Sequence, residues 1–232
     1  PELSELISLA RKYEVLIIED LGSGALYDFS RLGLAKEPLA QESIRAGVDI
    51  VTFSADKLLG GPQAGILAGK GDLIDRMKRN PIARTIRVDR MTLAGLQATL
   101  EIYLEADDIE QKIPTMQMIC QDVDRLRMRA DNILASLKDS IPAEIAIERI
   151  EERGRIGGGS LPGAEITTIA ISISSSKISA GSIAKKLRQC PVPIIPRISL
   201  DRVLIDLRTV QPSEDALLSE QLKAALAEVV NA

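Results

Sequence analysis

Lys57 and Asp20 are the side chains whose type and setting in this sequence point to chemistry. Lys57 lies in V-D-I-V-T-F-S-A-D-K-L-L-G-G-P-Q-A-G-I-L-A-G, residues 48–69. Val48 to Phe53 is an apolar, β-branched run that predicts a buried strand. The strand pattern stops at Ser54, and Lys57 follows three residues later, ahead of Gly60, Gly61 and Pro62. Ligands of open α/β sheets sit beyond the carboxyl ends of the strands, so Lys57 is expected at the rim of a crevice. Leu58 and Leu59 beside it would help desolvate the amine, and a neutral amine can form a Schiff base. A lone lysine after a strand is more often a solvated surface residue, so a second group has to support this reading.

Val15 to Asp20, V-L-I-I-E-D, supplies that group: a second apolar run that ends in a carboxylate and passes into Leu21-Gly22-Ser23-Gly24. If the two strands are parallel neighbours, Asp20 and Lys57 meet at one edge of the sheet. Pyridoxal phosphate needs this pair, a lysine for its aldehyde and an acid that keeps its pyridine nitrogen protonated. Ser54 could give its hydroxyl to the cofactor phosphate.

Composition narrows the remaining classes. With 232 residues, 45% of them hydrophobic, the chain can bury a sizeable core. A net charge of -4 provides no global basic field, so composition does not point to nucleic acid. No run approaches the roughly 18 apolar residues of a membrane helix, and no secretory signal pattern is found, which predicts no membrane partner. Cys120 and Cys190 have no paired spacing and read as the reduced thiols of a cytoplasmic protein. The absence of histidine excludes the Ser-His and Cys-His designs. Without a cysteine cluster either, no metal site is expected.

The elements that must position the pair follow in order. A helical stripe over Leu3 to Tyr13 precedes the Val15 strand. Tyr27 to Pro38 reads as a loop and Leu39 to Ala46 as a short helix ended by Gly47. This alternation predicts parallel β/α units. Ala64 to Ala68 reads as a strand, Asp72 caps a helix that Asn80-Pro81 stops, and Thr92 caps a helix to about Ala106. Glu110 to Pro114 reads as a hinge, followed by one long helix from Thr115 to Leu137. Strands are expected over Ala143 to Ile150 and Glu165 to Ile173, with Gly157 to Ser160 as a flexible loop before the second. Ser179 or Ser182 caps a helix to Gln189, and Val192 to Ile198 with Val203 to Leu207 forms a hairpin. Pro212-Ser213 starts a final amphipathic helix.

The run F-S-A-D-K-L-L-G-G-P-Q-A-G, with D-L-G-S-G upstream, closely resembles the bacterial selenocysteine synthases, the L-seryl-tRNA(Sec) selenium transferases. R-T-I-R-V-D-R-M-T-L-A at 84–94, G-G-G-S-L-P at 157–162 and L-I-D-L-R-T-V at 204–210 extend the likeness over nearly the whole chain. Ala55 and Pro196 depart from it, each standing where a glycine is common. The resemblance implies an α/β enzyme of fold type I, aspartate aminotransferase-like, with pyridoxal 5'-phosphate as cofactor. It places the end of the cofactor-binding large domain at 1–110 and the small α+β domain at 111–232. Family members are longer at the amino end, where they carry a small tRNA-binding domain, so the chain reads as the carboxyl-terminal part. They assemble as dimers or rings of dimers.

The resemblance also implies roles. Lys57 and Asp20 are catalytic and bind the cofactor with Ser54. Lys57 removes the α-proton of seryl-tRNA(Sec), water leaves the β-carbon, and selenium arrives from selenophosphate held by Arg84 and Arg87. Two arginines three apart could otherwise be a plain solvated face. Arg197 and Arg208, on the predicted hairpin, could serve a substrate carboxylate or be structural. Two alternatives stay open: a related pyridoxal phosphate β-eliminating lyase on a small amino or sugar acid, and a truncated, inactive relative that only dimerises.

Overall fold

The computed structural model describes residues 1–105, 107–157, 160–161 and 164–230. Among these, Pro1–Cys120 with Arg155–Ala164 forms one compact unit, and Gln121–Gly154 with Glu165–Ala232 forms a second. The units part about ten residues beyond the expected 110/111, and 155–164 returns to the first.

The first unit opens with α1 (Leu3–Lys12), β1 (Ile18–Gly22), a 3-10 turn (Phe29–Leu32), α2 (Ala40–Ala46) and β2 (Ile50–Ser54). β3 (Gly65–Gly69), α3 (Gly71–Arg79), α4 (Pro81–Ile86), α5 (Arg90–Glu105), α6 (Ile109–Lys112) and α7 (Pro114–Cys120) complete it. Its sheet has the order β1-β2-β3. β1 and β2 are parallel, joined by a crossover through α2, whereas β3 returns antiparallel to β2. Val15 and Leu16 lie before β1, at 58% and 57% exposure, so the strand starts three residues later than the apolar run does.

Several termini differ from the sequence reading. Lys70, not Asp72, is the N-cap of α3. Asn80 does more than stop it: its side chain accepts from Ile82 N and caps α4, with Pro81 in the first turn. Asp89, not Thr92, accepts the Met91 and Thr92 amides at the start of α5. Ala106 lies outside the described residues. The expected hinge at Glu110 to Pro114 is α6 and its cap. Ile113 is buried there in a cluster with Phe29, Leu58 and Met116.

The single helix expected from Thr115 to Leu137 is two, α7 and α8 (Val123–Leu137). The Asp122 side chain accepts from Asp124 N and restarts the chain as an N-cap. The second unit continues with β4 (Ile145–Arg155), β5 (Glu165–Ser175), α9 (Ala180–Arg188), β6 (Arg197–Ser199), β7 (Arg202–Asp206) and α10 (Asp215–Val230). Its sheet order is β4-β5-β7-β6, with β6 and β7 an antiparallel pair. Ser179, rather than Ser182, caps α9. Leu126, Ile133, Ile171, Ile173, Leu187 and Leu222 share its core. Of the glycine loop, Gly158 and Gly159 lie outside the described residues. Among the described residues no helix is long and apolar enough to cross a membrane, and no group of acidic or cysteine side chains could hold a metal ion.

Candidate active site

In the parallel register Asp20 stands opposite Thr52. The Thr52 hydroxyl donates to Asp20 Oδ1 at 2.9 Å, which orients the carboxylate. No described residue bonds its Oδ2, and the side chain is exposed.

β2 ends at Ser54, which is half-buried and opposite Gly65. The chain then turns through Ala55, Asp56 and Lys57. Backbone bonds close the turn: Ala55 N donates to Ala64 O at 2.9 Å, Gly61 N to Ala55 O at 2.8 Å and Gly60 N to Lys57 O at 3.0 Å. Gly60 adopts φ 74°, which a side chain would strain. Leu58 and Leu59 are buried, while Lys57 just before them is half-buried. The two leucines therefore anchor the turn and leave the amine at its rim.

The loop after β1 and the turn after β2 are joined. Leu58 N donates to Ser23 O at 3.0 Å. Gly24, at φ 71°, lies so close to Ser54 that a Cβ would collide with the Ser54 carbonyl oxygen. Gly24 of D-L-G-S-G thus lets one strand end approach the other. Ser23 is buried, and its Oγ has no hydrogen-bond partner among the described residues. An unpaired buried hydroxyl costs about 1–3 kcal/mol, so the chain alone leaves a polar group unused beside the turn.

Asp20, Ser54 and Lys57 therefore gather at one end of the β1–β2 pair. Arg84 and Arg87 make no hydrogen bond or ion pair with these three. Both are exposed, and neither makes a salt bridge with a described residue. The neighbouring Ile82, Ala83 and Ile86 line an apolar cavity of about 500 Å³ with Leu16, Ile18 and Ile50, at the entering ends of the same strands. Arg197 pairs with Glu152 at 2.6 Å. Arg208 is buried and donates to the carbonyls of Gln121 and Thr167 at 3.0 and 2.6 Å. Both arginines thus have internal partners.

The site holds residues that the sequence did not single out. Thr52 matters only through the parallel register. Ser23 stands in the D-L-G-S-G run, but its burial is a property of the fold. Tyr103, on α5, donates its hydroxyl to the carbonyls of Leu59 at 3.1 Å and Leu58 at 3.4 Å. Burial pushes the Tyr103 hydroxyl up to about 12, so it remains a donor at neutral pH.

The donor set fits pyridoxal phosphate: an amine for an aldehyde, a carboxylate with one oxygen open for a ring N–H, and hydroxyls at Ser54 and Ser23 on a glycine-bearing loop.

Comparison with known proteins agrees. The SelA family model, L-seryl-tRNA selenium transferase, matches residues 1–211. The L-seryl-tRNA(Sec) selenium transferase of Alkaliphilus oremlandii is 45% identical over 213 residues, covering 92% of this chain and 45% of the relative. Its counterpart in Alkaliphilus metalliredigens is 42% identical over 221 residues, covering 95% of this chain and 47% of the relative. The chain spans about half the length of these curated relatives. Among solved structures, D-glucosaminate-6-phosphate ammonia-lyase superposes with a TM-score of 0.58 at 17% identity, over 99% of this chain and 54% of that one. The fold type I architecture expected from the sequence is borne out by this likeness.

Proposed function

The chain belongs to the L-seryl-tRNA selenium transferase family, and on that premise we propose that it carries the lysine end of a pyridoxal-phosphate site that converts seryl-tRNA(Sec) to selenocysteinyl-tRNA(Sec). The observation that supports this most is the meeting of Asp20, Ser54 and Lys57 at one end of the β1–β2 pair, with a motif that matches the family. The first unit is then part of the cofactor domain, and the second is the small α+β domain.

Bound there, pyridoxal phosphate supplies an aldehyde for an amine and an electron sink for a carbanion. Lys57 would hold it through Nζ, the Asp20 carboxylate would keep its pyridine nitrogen protonated, and the Ser54 hydroxyl would donate to its phosphate. The Thr52 hydroxyl, bonded to Asp20 Oδ1, fixes that carboxylate and leaves Oδ2 for the nitrogen. When not bonded to the group, the Lys57 amine is the base for the seryl α-proton. The β-hydroxyl then leaves as water, and selenium from selenophosphate adds to the β-carbon while water cleaves the P–Se bond and phosphate departs. Arg84 and Arg87 grip selenophosphate, since paired guanidinium forks match an oxyanion in charge and geometry. Both are exposed without a salt bridge to a described residue, which leaves them open to serve the lysine of a second copy in a dimer.

The test is a product assay. The chain is incubated with pyridoxal phosphate, L-seryl-tRNA(Sec) and selenophosphate, beside Lys57→Ala. Selenocysteinyl-tRNA(Sec) that depends on Lys57 is the expected product. Lys57-dependent deamination of a free small amino or sugar acid, with seryl-tRNA(Sec) untouched, would turn the assignment to a lyase.

A further inference from the structure

Helix α5 contributes no fully buried side chain, yet it runs along the turn that carries Lys57. A Cβ on Gly95 would stand 3.5 Å from Pro62 Cγ. A Cβ on Gly61 would stand 3.5 Å from both Leu96 Cδ1 and Thr99 Oγ1. One turn further along the helix, Tyr103 bonds the carbonyls of Leu58 and Leu59. Residues 95, 99 and 103 recur every four positions and so share one face. Pro62, Gly61 and then Leu59 and Leu58 meet that face in reverse order, so the helix is a rail beneath the turn.

The backbone bonds of the turn explain why a tyrosine is needed at its far end. Ala55 O and Lys57 O are taken by Gly61 N and Gly60 N. Leu58 O and Leu59 O follow the lysine directly in a buried stretch. Buried carbonyls need donors, and the Tyr103 hydroxyl serves both with one shared proton. The whole chain has only three tyrosines. Tyr27, the other tyrosine packed near this apolar cluster, gives its hydroxyl to Glu110 at 2.9 Å and not to the turn.

We propose that Tyr103 is the positioning residue of the Lys57 turn, holding Leu58 and Leu59 so that the lysine amine stands ready for a carbonyl ligand. The proposal rests on Lys57 being the cofactor lysine. Without the hydroxyl, the two carbonyls lose their tie, the turn samples other conformations, and Lys57 loses its advantage over an ordinary surface lysine. A residue that acts only on stability would lower the melting temperature and leave that advantage intact.

The experiment measures the advantage directly. The folded chain is treated with sub-saturating pyridoxal phosphate and borohydride from pH 6 to 9, and trapping at Lys57 is compared by peptide mass spectrometry with trapping at the exposed Lys78 of α3. Wild type should favour Lys57 over Lys78. Tyr103→Phe should reduce that ratio about tenfold, the size of one hydrogen bond, and shift its pH profile. Tyr27→Phe, which removes a comparable hydroxyl beside the same cluster, should leave both unchanged. Equal ratios in wild type and Tyr103→Phe, or an equal loss in Tyr27→Phe, would overturn the positioning role while Lys57 kept its assignment. A wild-type ratio near one would overturn the assignment of Lys57 itself, and the positioning role with it.

Discussion

The second unit closes its sheet with helices: Leu126 and Ile133 of α8, Leu187 of α9 and Leu222 of α10 share a core with Ile171 and Ile173 of β5. The first unit leaves Ile18 of β1 and Leu67 of β3 more than half exposed, together with Ile82 and Ile86 of α4. Parallel strands normally have both faces covered, so the first sheet is the less finished surface. It is also the one that carries Asp20 and Lys57. The contrast separates two tasks within one chain. Both units bury apolar clusters, but the first leaves part of its sheet open and ties its strand ends with hydrogen bonds, where chemistry needs open edges.

Core truncation should test that contrast most severely. Leu126→Ala or Ile171→Ala should cost about 2–5 kcal/mol, whereas Ile18→Ala should stay within about 0.5 kcal/mol, as read from urea unfolding. Comparable losses at Ile18 would mean that the outer surface of β1 is covered in solution.

Next in size is Arg129. Its guanidinium pairs with Asp215 at 2.7 Å and donates to the carbonyls of Leu207 and Val210, tying α8 to the start of α10. Arg129→Met should cost about 2–3 kcal/mol, below the figure for a fully buried pair because some solvent reaches it. An unchanged unfolding midpoint would show that apolar packing alone holds the second unit.

Polar anchoring of the first unit has a pH signature. Asp49 is buried just before β2, and the Lys70 ammonium, followed by the Ile17 amide, holds its carboxyl below the usual range. A depressed folded value means that the stabilisation is complete above the unfolded carboxyl's value of about 3.9 and is lost as pH falls through the lower folded one. Asp49→Asn should therefore cost about 1 kcal/mol at neutral pH and flatten the acid limb of the first unit's stability curve. A limb as steep as wild type would assign acid sensitivity to other carboxylates.

Lys57→Ala should have the smallest effect on folding, within about 0.5 kcal/mol, since Leu58 and Leu59 anchor the turn. It should still remove specific fixation of pyridoxal phosphate. A large loss of stability would make Lys57 structural.

Much of this organisation is legible in the sequence because its signals are local. The β-branched run before Ser54, the Val15 run into Asp20 and the D-K-L-L-G-G-P motif put the candidate pair at strand ends. Their gathering in one place needed the parallel register, which alternation predicts. What escaped depends on competition between neighbours. The apolar stripe from Ile119 to Ile133 crosses a helix break because Asp122 offers a cap, and periodicity does not weigh one cap against a continued helix. Asp89 took the role expected of Thr92 for the same reason, since both residues can cap and only one holds the right backbone. Tyr103 was invisible because its partners are carbonyls, which have no sequence signature. The placement of α4 at the entering ends of the strands is likewise a tertiary choice, which the spacing of Arg84 and Arg87 does not carry.

The most direct test of the strand-end site is the visible spectrum of the chain with pyridoxal phosphate, recorded before and after borohydride and followed by peptide mapping. The Asp20–Lys57 account predicts a visible band that reduction removes and a single dominant label on the peptide containing Lys57. A label spread evenly over surface lysines, with no band distinct from free pyridoxal phosphate, would contradict it.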